Sequence, residues 1–136
     1  MAVSEWHNRL MLSATGFAGF SAAHLIDEFI WGEPAVFHLS VPLTEILALA
    51  YMLALVGLIA AAGSRTAASY QGLSLAGGLI ALADILKHMP EIAATGTWRF
   101  GPVSLLLFMG LTACALLTAF CGIMALRYQR GAPMTG

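Results

Sequence analysis

The sequence predicts an all-α protein: an integral membrane, up-down four-helix bundle with both termini cytoplasmic. Three observations point there. The 136 residues are 60% hydrophobic and 10% charged, with a mean hydropathy of +0.85, whereas a soluble domain carries about 25% charged residues. The apolar residues gather in four runs, about 10–31, 43–62, 70–89 and 103–126, each near the roughly 20 residues that cross a bilayer. The breaks between them carry turn chemistry. A single four-helix transmembrane domain over residues 1–136 accounts for the whole pattern.

The first run, from Leu10 to Trp31, follows Arg9 and contains Ser21-Ala22-Ala23. That combination loosely resembles a secretory signal with a small-residue cleavage site. The apolar run continues past the site, so a retained helix is expected. The second run, Leu43 to Ala62, follows "WGEPAVFHLSVP". Pro42 stands just before it, where a missing N–H is tolerated. The third, Tyr70 to Met89, follows the short polar "GSRTAASYQG" and stops at Pro90. The fourth, Val103 to Leu126, follows "PEIAATGTWRFGP", with Pro102 at its start. No period-two alternation speaks for strands.

Four helices with short connections alternate in direction. One face then carries Arg9, Arg65, Arg127 and Arg130, against Lys87 and Arg99 near the other. By the positive-inside rule both termini are cytoplasmic, which fits the cytoplasmic membrane of a bacterium or archaeon. Gly16, Gly19, Gly72, Gly77 and Gly78 read as close-packing positions between helices. Trp6, His7, Tyr70, Trp31 and Trp98 read as interfacial. Tyr51 lies deeper and reads as a hydrogen-bonding residue inside the bundle. Cys114 and Cys121 are seven apart on one helix, too far for a disulfide.

"HLIDEF" and "DILKHMPE" are the unusual stretches. Six of the seven acidic residues, three of the four histidines and the lone lysine fall toward the extracytoplasmic face. Positions three and four apart share a helix face. His24, Asp27 and Glu28 therefore form one stripe, and Asp84, Lys87, His88 and Glu91 another, with Glu45 at the same level. An offset of 60 places His24 on Asp84, Glu28 on His88 and Pro42 on Pro102, but few other identities support a duplicated hairpin.

Three readings of this cluster compete. The first is a metal or cofactor site: His24, Glu28, Asp84 and His88 as ligands, with Glu45, Asp27 and Glu91 as outer or alternative ligands. Imidazole with carboxylate suits Fe, Cu, Zn or Mn, and b-type haem held by His24 and His88 is its variant. The second is a network of structural ion pairs around Lys87 in a non-catalytic accessory subunit. The third is a proton or cation pathway, since chains of Asp, Glu and His mark relays in membranes. Against it, the other halves of the spans are nearly free of ionisable groups, offering Ser13, Thr15, Ser74, Thr112 and Thr118. His38 reads as a loop residue that could cap the pocket.

No soluble-enzyme signature is present: no GxGxxG after a strand, no P-loop, no GxSxG and no HExxH. Any chemistry would belong to the metal or cofactor. No basic patch suits nucleic acid. The expected partners are the lipid bilayer and other membrane subunits, or a second copy of the chain. The first reading makes this a subunit of a membrane redox or metal-handling complex.

Overall fold

A computed structural model describes residues 3–32, 40–95 and 101–131, with the side chains at 91, 94 and 95 left aside. Its elements are α1 (Val3–Ile30), α2 (Val41–Ala62), α3 (Ala67–Thr95) and α4 (Pro102–Gly131). They form an all-α four-helix bundle. Each helix packs on its chain neighbours, and α4 closes the ring by packing along α1, while α1 and α3 face each other across the middle. Three helices, α2, α3 over residues 67–90 and α4, are long and apolar enough to cross a membrane.

The bundle's exterior is apolar and its buried face carries polar side chains. Leu12, Leu49, Leu53, Leu79, Leu106 and Phe120 point outward, while His24, Asp84, His88, Ser104 and Thr118 are buried. An apolar exterior of this extent would aggregate in water and is at home against acyl chains.

The helices start where proline permits. Pro42 occupies the first turn of α2, and α4 begins at Pro102 itself. Pro90 does not end α3, contrary to the expected stop at Met89; the helix runs on to Thr95. Proline lacks one N–H and crowds the carbonyl four residues back, which weakens that turn without preventing the next. α1 likewise begins at Val3 and α4 reaches Gly131, beyond the apolar runs. Polar end turns are helical but carry no apolar signal.

Close packing of α3 on α4 rests on two glycines. A Cβ on Gly77 would collide with the carbonyl oxygen of Ala115 and meet the Ala119 nitrogen at 3.0 Å. A Cβ on Gly122 would strike Ser74 Oγ and meet the Tyr70 carbonyl oxygen at 3.0 Å. Gly19 and Gly78 face open space and do no such packing. Gly77→Ala should therefore destabilise the bundle by about 1–3 kcal/mol, as overpacking against backbone does. Gly78→Ala should be neutral or slightly stabilising. Thermal unfolding in detergent distinguishes them, and equal midpoints would remove this account of the α3–α4 contact.

Trp6 and Tyr70 turn inward rather than toward an interface. Trp6 stacks on Tyr128 at 6.2 Å and meets Phe120 edge-on at 5.7 Å. The buried pair His7 Nδ1 and Tyr70 OH, 3.0 Å apart, ties α1 to α3 at this end. The Tyr70 hydroxyl, satisfied by His7, has no need of the headgroup layer. Trp98, Arg99, Glu33 and His38 lie outside the described residues.

Candidate metal centre

His24 and Glu28 lie one turn apart on α1, and Asp84 and His88 one turn apart on α3. Because α1 and α3 are diagonal in the ring, their inward side chains meet on the bundle axis. His24, Asp84 and His88 are 5%, 7% and 1% exposed. His24 Nε2 lies 3.6 Å from Asp84 Oδ1, and His88 Nε2 lies 3.7 Å from the same oxygen. Glu28 Oε1 stands 3.2 Å from His24 Nε2 and 3.9 Å from His88 Nε2. The imidazoles meet edge to face, with centroids 5.5 Å apart. This buried His/His/Asp set can coordinate a metal ion.

Neighbouring groups fix the ligands. Thr112 Oγ1, from α4, donates to Asp84 Oδ2 at 2.6 Å. That bond occupies one carboxylate oxygen and leaves Oδ1 turned to the two histidines. Phe108 packs edge-on against His88, with centroids 5.2 Å apart. Lys87 Nζ donates to Glu28 Oε1. Deeper in the bundle Ser21 Oγ and Tyr51 OH share a hydrogen bond of 2.8 Å, joining α1 to α2, so Tyr51 has the role expected of it.

The ring of His24 is the anomaly. It is buried, yet neither nitrogen makes a hydrogen bond among the described residues. Its 3.2 Å approach to Glu28 is off the direction of one. A buried polar atom without a hydrogen bond costs about 1–3 kcal/mol, and an ion bound at Nε2 would remove that cost for this nitrogen.

The other candidates fall elsewhere. Glu45 is exposed on α2, away from the axis. Asp27 is half-buried, and its side chain makes no hydrogen bond or ion pair with a described residue. The side chain of Glu91 lies outside the described residues. The cluster is also deeper than a rim site. Asp84 is eleven residues from the end of α3, about 16 Å at about 1.5 Å per residue. Measured to Met89, where the apolar run ends, the same distance is five residues.

Thr112 is the site residue that the sequence pattern misses: it lies at the level of Asp84, not in the opposite half of its span. The available signal was a lone hydroxyl in an otherwise apolar stretch. Thr112→Val should weaken metal binding by about 10–100-fold, the usual consequence of losing a group that orients a ligand. A cobalt titration of the variant checks this, and an unchanged dissociation constant would remove Thr112 from the site.

Neither family models, curated proteins nor solved structures match this chain.

Proposed function

We propose that the protein is a small integral membrane protein that holds one divalent transition metal ion. In this reading all four helices cross the bilayer, both ends are cytoplasmic, and the metal lies in the extracytoplasmic half. The ligands are His24 Nε2, His88 Nε2 and Asp84 Oδ1, with Glu28 beside them as fourth or exchangeable ligand. The observation that carries this is the convergence of both imidazole nitrogens on one carboxylate oxygen at 3.6 and 3.7 Å. Ligand bonds of about 2.0–2.2 Å in a tetrahedral site put neighbouring ligand atoms about 3.4 Å apart. The donors are nitrogen and oxygen with no thiolate, a set that suits Zn, Fe, Mn or Cu.

A metal ion fits better than b-type haem. Asp84 Oδ1 sits close to both Nε2 atoms, in the space a porphyrin between them would need. A relay through the bundle has less to recommend it. Along α1 the next basic or acidic side chain buried on the axis is His7, about 25 Å away at about 1.5 Å per residue. The rival with a specific observation behind it is the structural one. Lys87 already neutralises Glu28, and an accessory subunit could use the cluster only to register its helices. With such short connections, service as a subunit of a membrane redox or metal-handling assembly is the role we assign.

The test is a cobalt titration of chelator-treated full-length protein in detergent. One Co(II) per chain, with intense visible bands of a tetrahedral or five-coordinate ion, is expected. No binding below about millimolar Co(II), a free energy of only about −4 kcal/mol, would overturn the reading.

A further inference from the structure

Beside the cluster lies a cavity of about 230 Å³. Its walls are Leu25, Ile80, Ala83 and Leu111, with the Ser21 and Tyr51 hydroxyls on one side. His24, Glu28, Asp84 and Lys87 also border it, so it touches the proposed metal position directly. We propose that this cavity is the binding site of a small monoanion that would complete the coordination of the metal. The inference rests on the metal reading above and extends it to the exogenous ligand.

Three observations converge on this. The first is coordination number. Three protein ligands with a fourth position open is the arrangement that admits an outside ligand, and closed four-ligand sites do not. Glu28 is the least committed of the four donors, because Lys87 holds its carboxylate. The second is charge. Among the described residues at the centre, Asp84 and Glu28 contribute two negative charges and Lys87 one positive, with the imidazoles neutral as ligands. A divalent ion turns that balance from one negative to one positive. Added positive charge is disfavoured inside a bundle, especially in a membrane, and a bound monoanion offsets it.

The third is the wall. Ser21 and Tyr51 hydrogen-bond to each other. Two hydroxyls sharing one bond keep one hydrogen between them for a third acceptor. That donor lies in the cavity's lining, suited to the far end of an anion bound to the metal. Size narrows the class. At about 30 Å³ per water, the space equals roughly seven or eight waters, enough for azide, nitrite, formate or bicarbonate. The aliphatic walls exclude a strongly hydrated polyanion, which would lose its water with nothing to replace it.

The experiment titrates sodium azide into Co(II)-loaded full-length protein and follows the visible spectrum. A saturable, one-to-one change in the cobalt bands is expected. Ala83→Leu puts a larger side chain at the cavity's lining, and the Ser21→Ala/Tyr51→Phe double variant removes both hydroxyls. Each should weaken azide by about tenfold or more, while Co(II) affinity changes less than about threefold. Cobalt binding with a spectrum indifferent to azide overturns this inference and leaves the metal reading standing. Azide binding equally well in both variants overturns the assignment to this cavity. No cobalt binding at all brings down both.

Discussion

Alanine at His24 or at His88 should abolish stoichiometric metal binding, weakening Co(II) or Zn(II) by more than the roughly 10–100-fold that loss of an outer partner causes. Both imidazoles reach the same Asp84 oxygen from different helices. Removing either leaves one imidazole nitrogen with Asp84 and the Lys87-held Glu28, too few free donors to hold the ion against water. Glu45→Ala, on the outer face of α2, should leave binding unchanged and serves as the control. Affinity should also depend steeply on pH. An imidazole must be deprotonated to ligate, so affinity should fall as pH is lowered, more steeply with two imidazoles bound than with one. Elemental analysis of the two variants and a cobalt titration at several pH values check this. A His24→Ala protein that retains one metal per chain would refute the site.

The loss of binding should come with a smaller loss of stability than a core deletion usually brings. In the metal-free protein His24→Ala removes a buried ring whose nitrogens lack hydrogen bonds among the described residues. Its stability should therefore fall by less than the full cost of deleting a packed side chain. Metal would then stabilise the parent protein and not the variant, by linkage between binding and folding. Unfolding midpoints with and without metal separate these two contributions.

The helices and half of this site were legible because both announce themselves by period. Apolar runs of membrane length mark the helices, and the four-residue spacing of His24 with Glu28 and Asp84 with His88 marks two polar faces. The rotation of α2 was not legible. Its apolar residues surround it on every side, so nothing in its pattern tells which way Glu45 points. Thr112 gave no periodic signal, since one hydroxyl has no period. The glycines show the same limit. Gly77 and Gly78 are adjacent, yet only Gly77 meets backbone. That distinction depends on where α4 lies, and composition carries no information about it. Pro90 misled because a proline's local cost does not decide whether a helix resumes beyond it.

Lys87→Met should separate the metal reading from the structural one by producing effects of opposite sign. In the metal-free protein Lys87 neutralises Glu28, and the two side chains keep only 28% and 20% exposure. Breaking a fully buried pair costs about 3–5 kcal/mol, and exposed pairs contribute about 0–1. A loss of about 2–3 kcal/mol is expected at this intermediate depth. Adding Glu28→Met should restore most of it, since two apolar side chains can replace a buried pair without penalty. Metal binding should move the other way. Lys87 repels an incoming dication and withholds a carboxylate from it, so the single Lys87→Met variant should bind Co(II) about tenfold or more tightly, and metal should rescue its stability. If the cluster only registers helices, Lys87→Met will be equally unstable with and without metal, and its cobalt affinity will not rise.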